Sequence, residues 1–363
     1  TPLYSSAASD VYKRQLYVTA VLANQQSSRQ QMQMQGGTGL QQFQVKADEY
    51  EENRHFLLAQ YFRNNFNKNM KNLPAVTSPV QILRMEVWVT NRTGTTTENR
   101  NVVALMDLGE NNPFNNGINS LGGVLPDNRS NDLYQRLAND ATTRDPALVT
   151  NRLAAYGLVA VQDFERTFAR KLRPEEYYFN PQIGFISLNT VLQPDEVLGV
   201  AFQYTVNGRV FQVGEFSVDV TPDTTSNNSG TQKVLFLKML KATSQRPLLP
   251  IWDLMMKNVY SVGFGMLERK DFKLNILYQE PGGGEKRYIP EGEEKGRPVL
   301  ELVNLDRLNN QNDPQPDGVF DFVEGFTVIS TQSRVVFPIL EPFGRDLEYI
   351  FRGPDSLELR RKY

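Results

Sequence analysis

The dipeptide Asn207-Gly208 stands between two apolar, alternating runs, residues 197–206 and 209–218, and restricts the fold more tightly than any other feature of the chain. Asn and Gly accept the positive φ values that a two-residue hairpin turn requires, so the runs are joined as antiparallel strands in a set register. Similar alternation recurs. In 80–90, Leu83, Met85, Val87 and Val89 fall on one face and Arg84 and Glu86 on the other, the pattern of a half-buried strand. After the polar stretch 91–100, residues 101–108 return as its hairpin partner. Residues 16–22 put Leu16, Val18, Ala20 and Leu22 on one face.

Helices are fewer. Residues 47–69 read as one, with Asp48 as cap, acidic Glu49, Glu51 and Glu52 in the first turn, and an apolar stripe of Phe56, Leu57, Tyr61 and Phe62. Residues 130–138 form a short helix behind a capping run. Asp145-Pro146 opens another, which ends near Gly157. Residues 252–260 carry Leu254, Met255 and Val259 at helical spacing. Residues 164–172 fit helix or turn, and 234–240 fit strand or short helix. The runs 272–278 and 286–289 flank a glycine-rich segment, 280–285, which lacks the Lys-Ser/Thr ending of a phosphate loop and reads as a hairpin turn. Strands at 326–329 and 334–340 follow. The sum is an α+β, β-rich fold of antiparallel hairpins with a few helices.

Composition narrows the chemistry. Lys and Arg total 39 against 41 Asp and Glu, so the basic excess of a nucleic-acid binder is missing. There is no Cys, hence no disulfide framework, thiolate metal site or cysteine nucleophile. The one His is His55, which excludes a two-histidine zinc site within the chain. On an amphipathic helix it reads as structural, with no serine nucleophile motif to serve it. No apolar run reaches the length of a membrane-spanning helix, and no signal peptide stands at the start.

The acidic stretch 304–325 has the spacing of a calcium loop. Counted from Asp313, the ligand positions fall on Asp313, Gln315, Asp317, Val319 (through its carbonyl), Asp321 and Glu324, with Gly318 at the sharp turn. Phe320 is apolar and faces a core. Pro314 and Pro316 stiffen the approach, Gln315 is a neutral ligand, and no helices flank the loop. The competing reading is a Pro/Asp/Gly turn between strands. If calcium binds, it stabilises the protein and Asp317→Ala abolishes the effect.

Several blocks then resemble one family. They are Asn53-Arg-His-Phe-Leu-Leu-Ala-Gln-Tyr-Phe-Arg63, Val80-Gln-Ile-Leu-Arg-Met-Glu-Val-Trp-Val-Thr-Asn91, Tyr178-Phe-Asn-Pro-Gln-Ile-Gly-Phe-Ile-Ser-Leu188, Leu249-Pro-Ile-Trp-Asp-Leu-Met-Met-Lys-Asn258, the acidic stretch itself and Val336-Phe-Pro-Ile-Leu-Glu-Pro-Phe-Gly344. In order and over residues 16–345, they are similar to the SprA/Sov family, the outer-membrane translocon of the type 9 secretion system, which is also tied to gliding motility. The resemblance implies a very large outer-membrane β-barrel, at the surface of a Gram-negative bacterium, through which folded cargo proteins with C-terminal sorting signals pass. It implies partner subunits at a lateral opening and on the periplasmic side, and no catalytic residue. With a mean hydropathy of −0.45 the chain reads as a soluble insert or cap-like region of that barrel, with a barrel strand at 16–22.

On this reading residues 1–15 resemble translated sequencing adapter and are set aside. Residues 16–46 hold the strand and a polar, Gln-rich loop, with a disordered polar tail as the competing reading, and 47–345 form the β-rich region, as one body or as two subdomains, 47–175 and 176–345. Residues 346–363 are a truncated linker. Two rival functions remain. One is a calcium-stabilised adhesin or carbohydrate-binding surface module using Trp88, Tyr177, Tyr178 and Trp252. The other, ranked last, is a glycosidase built on a pair of carboxylates.

Overall fold

The computed structural model describes residues 15–23, 40–92, 94, 98–220, 233–263, 265–279 and 284–348. The expectations placed on 1–14, on the Gln-rich loop, on the tip of the glycine-rich turn and on the end of the chain lie outside these residues. In chain order the strands are β1 (Gln15–Ala23), β2 (Leu40–Lys46), β3 (His55–Leu57), β4 (Val80–Thr90), β5 (Asn99–Leu105) and β6 (Phe164–Lys171). There follow β7 (Tyr177–Asn180), β8 (Phe185–Leu188), β9 (Leu198–Val206), β10 (Arg209–Val213) and β11 (Leu235–Lys241). The last are β12 (Val259–Ser261), β13 (Phe272–Gln279), β14 (Glu285–Lys286), β15 (Val328–Ile329) and β16 (Arg334–Val336). The main helices are α1 (Gln60–Met70), α2 (Leu133–Ala138), α3 (Val149–Ala155) and the short α4 (Val299–Leu302). Strand outweighs helix, 31 % to 16 %, and the sheets are predominantly antiparallel, as expected of the β-rich α+β class.

The chain divides into two compact units that interleave in sequence. The first takes 1–51, 70–75 and 257–363, the second 52–69 and 76–256. The division therefore falls elsewhere than at residue 175/176.

In the second unit, β9 pairs along one edge with β4, from Val80↔Val206 to Val89↔Leu198. Its other edge is shared by β11 near Leu198 and β10 near Val206. β11 runs parallel to β5, β5 antiparallel to β6, and β6 antiparallel to the end of β4. These pairings close a ring, β4–β9–β11–β5–β6, which removes the open edges of a flat sheet. Trp88, Val102, Ala169, Ala201, Leu235, Leu237 and Phe216 form one buried cluster within it. Trp88 lies directly across from Gly199, where a Cβ would come within 3.0 Å of Leu237. Small residues opposite large ones let so narrow a ring fill with side chains.

The outer surface is covered by helices. Leu133 and Leu137 of α2 and Val149 and Leu153 of α3 pack on Val103, Leu105, Phe164 and Phe236. From α1, the Phe62 ring meets Phe202 and Tyr204 edge-on at 6.0 and 6.1 Å. The Glu110 carboxylate accepts the Gln60 N–H at 3.1 Å, supplying the cap that starts the helix.

Four expectations are corrected. The helix over 47–69 is a turn, then β3, then α1, because His55, Phe56 and Leu57 are wholly buried as a strand against β8. β4 and β5 are not hairpin partners, since β6 lies between them and settles the ambiguous 164–172 as strand. The alternation of β4 is interrupted where the register slips between Ile82 and Arg84, leaving Leu83 51 % exposed while Ile82 is buried. Residues 252–260 form a 3-10 turn, Pro250–Leu254, followed by β12, because Val259 and Tyr260 pair with β16.

The β9–β10 hairpin forms as read, with Asn207 at φ +50° and Gly208 at φ +77°. β10 ends at Val213. At Gly214 the chain turns at φ +76°, and a Cβ would lie 3.0 Å from the Val200 carbonyl.

In the first unit, β1 is the central partner of β13 and β2 in the sheet β14-β13-β1-β2. The strand at 16–22 thus exists, and β13 pairs with β14 around the glycine-rich turn. A second sheet has the order β12-β16-β15. The core joins Phe272, Leu274 and Ile276 of β13 to Val299, Leu300 and Leu302 of α4 and to Phe320, Val335 and Phe337. Among the described residues no helix is long and apolar enough to cross a membrane.

Candidate functional site

The acidic stretch lies wholly in the first unit, and its fold follows from where each carboxylate goes. Asp321 points inward and accepts the N–H groups of Arg307 (2.6 Å) and Leu308 (3.1 Å). Asp306, 1 % exposed, accepts those of Asp317 (2.9 Å) and Gly318 (3.0 Å). The two carboxylates cross-brace the loop, each holding the limb that bears the other. Asn309 Oδ1 accepts the N–H groups of Gln311 and Asp313, and Asp317 accepts that of Val319, so the outer limb is a series of Asx turns. Phe320 is buried and meets Phe272 edge-on at 5.3 Å, as its apolar character suggests.

The six residues of the calcium count are not brought together. Asp313, Gln315, Asp317 and Val319 lie exposed along the outer limb, Asp321 turns under the loop, and Glu324 accepts the Ser330 N–H at 3.0 Å. Among the described residues no group of three Asp, Glu or His side chains is placed to hold a metal ion. Backbone amides occupy oxygens that a cation would need. Asp306 falls outside the calcium spacing, and the signal that finds it is its position between Leu305 and Leu308, both buried.

Burial pushes the Asp306 carboxyl above its ordinary 3.8, with the negative charges of Asp317 and Glu301 adding to the rise and the two backbone N–H groups opposing it. Asp321 is raised in the same way, chiefly by burial and further by Asp306 and Asp317. Such a pair holds a loop together at the cost of crowding negative charge.

In the second unit, His55 has a partner that the sequence did not reveal. It stands across from Ser187 in the β3–β8 pairing, with His55 Nδ1 2.8 Å from Ser187 Oγ, and both residues are fully buried. A nucleophile sealed in this way has no path to a substrate, so the pair locks two strands together. The surface-module aromatics do not form an exposed platform: Trp88 is buried, and Tyr177, Tyr178 and Trp252 are each half-buried.

The described residues therefore define a β-rich α+β protein in which the polar groups singled out by sequence brace loops and strands. The chain belongs to a family of motility related/secretion proteins, whose model, SprA_N, matches residues 2–184. The blocks at 53–63, 80–91 and most of 178–188 lie inside that span, while those at 249–258, 304–325 and 336–344 lie beyond it. No curated protein matches the chain.

Proposed function

We propose that this chain is a segment of the outer-membrane, protein-conducting translocon of the type 9 secretion system, serving protein secretion and gliding motility. The family match to motility and secretion proteins carries the reading. In this reading its part is structural rather than chemical. The five-stranded ring is packed with side chains around Trp88 and encloses no passage of its own; in this reading it stands beside the route, and the passage belongs to a larger parent barrel. The partners are secreted proteins with C-terminal sorting signals and the outer-membrane and periplasmic subunits of the system. Its place is the outer membrane and surface of a Gram-negative cell, and its role is non-enzymatic.

The test is an in-frame deletion of this segment from the parent gene, read with a reporter that carries a sorting signal. The reporter is expected to accumulate in the periplasm, and spreading on agar is expected to stop. Normal secretion and normal spreading by the deletion strain would overturn the proposal.

A further inference from the structure

The second unit buries an ammonium group against a carboxylate. Lys238 is 1 % exposed, and its Nζ lies 2.8 Å from Oε1 of Glu110, itself 3 % exposed. Nζ also donates to the Met106 carbonyl. The chain around both residues is apolar and buried: Leu237 and Met239 flank Lys238, and Leu105, Met106 and Leu108 precede Glu110. Other lysine–carboxylate pairs meet solvent, Lys171 with Glu86 in part and Lys270 with Glu268 widely. Two opposite charges sealed away from water are costly to desolvate, and their attraction seldom offsets that loss.

The same contact sets out two reactants. A lysine amine is a nucleophile, and a carboxyl carbon is its electrophile. Oε1 of Glu110 also accepts the Gln60 N–H at 3.1 Å, at the start of the 11-residue α1. A backbone donor and the positive end of a helix thus draw electron density from the carboxyl carbon. The Met106 carbonyl fixes the direction of Nζ. Reactants held in contact react as though present at about 10⁵ M or more, and exclusion of water protects the product from hydrolysis. The pair also stands where the ring is thinly joined. β11 and β5 share four rungs, Leu235↔Val102 to Lys238↔Leu105, and Lys238 is the last of them.

We propose that Lys238 and Glu110 condense within the folded chain, forming an isopeptide bond between Nζ and Cδ that staples β11 to the loop after β5. Of the three protons on the ammonium nitrogen, two pass to Oε2, which leaves as water. The third stays on the new amide and keeps its bond to the Met106 carbonyl. Oε1 becomes the amide oxygen and keeps the Gln60 N–H. One carbon–oxygen bond breaks as one carbon–nitrogen bond forms, so nothing is oxidised or reduced and no co-reactant enters. Two buried charges give way to one neutral amide whose donor and acceptor are both already partnered. The inference stands independently of the translocon reading.

The test is the intact mass of the 363-residue protein, folded first and denatured for the measurement. The chain is expected to be lighter than its sequence by the mass of one water. A digest is expected to release one branched peptide that joins Glu110 to Lys238. The double variant Glu110→Met, Lys238→Met replaces the pair by apolar side chains of similar length, a change that buried ion pairs tolerate, and its mass should equal that of its sequence. A folded wild-type chain at its full sequence mass, a deficit that persists in the double variant, or separate peptides carrying Glu110 and Lys238 would each overturn the proposal. The branched peptide is read from the wild type alone, so the test holds even where the variant folds poorly.

Discussion

Gly184 lies at φ +77°, and a Cβ there would stand 2.2 Å from the Phe62 ring. Gly184→Ala combines backbone strain with overpacking, and is expected to cost about 2–4 kcal/mol in urea unfolding. Phe62→Leu in that background should recover part of the loss, because the two side chains compete for one space. Asp306 and Asp321 make a prediction with a sign. Their folded pKa values lie above the ordinary 3.8, so the folded chain holds these protons more tightly than the unfolded one. The stability they contribute is fully present below the unfolded pKa and is lost as pH rises through the raised folded values. Asn at position 306 does not titrate, so the stability of the wild type relative to Asp306→Asn should shrink as pH is raised through the acid range. A gap that widens would contradict the assignment. Because backbone amides hold these carboxylates, calcium and chelator should give the same melting temperature.

At the scale of elements, β4 offers the sharpest test. With Leu83 as the extra residue of a bulge, Leu83→Ser should change stability by less than about 0.5 kcal/mol, while Ile82→Ala should cost about 2–4 kcal/mol. Simple alternation from Leu83 to Val89 predicts the reverse, and a large loss at Leu83 would restore it. The same strand shows what sequence carries. Signals confined to neighbours, such as Asn207-Gly208 or the capping run before α2, were legible because the turn and the helix start are local chemistry. The bulge was not, because it is set by the pairing with β9, over a hundred residues away. β6 was illegible for the same reason: Phe164, Glu165, Arg166, Thr167 and Phe168 lack a clean period, and pairing on both sides makes them a strand. In 47–69 the acidic first turn imitated a helix start, yet the burial of His55 to Leu57 against β8 prevailed. In the acidic stretch the sequence carries the spacing of a calcium loop and no more. The direction in which Asp321 and Glu324 point depends on Arg307, Leu308 and Ser330, and no spacing rule contains that.

For the whole molecule, the filled ring is the feature on which the functional reading leans. Trp88→Ala should cost about 3–5 kcal/mol, as expected for deleting the largest buried side chain of a close-packed core. Gly199→Val adds bulk where Leu237 leaves none, and should destabilise the ring from the opposite direction. Both act through folding and neither opens a passage, so their effects on transport must follow the amount of folded protein. The measurement that tests the central claim most directly is secretion of a sorting-signal reporter, together with spreading, in cells whose parent protein carries Gly199→Val or Leu83→Ser. The account predicts that both activities fall together in the first strain and are retained in the second. Normal secretion from cells in which Gly199→Val has removed the folded segment would contradict it.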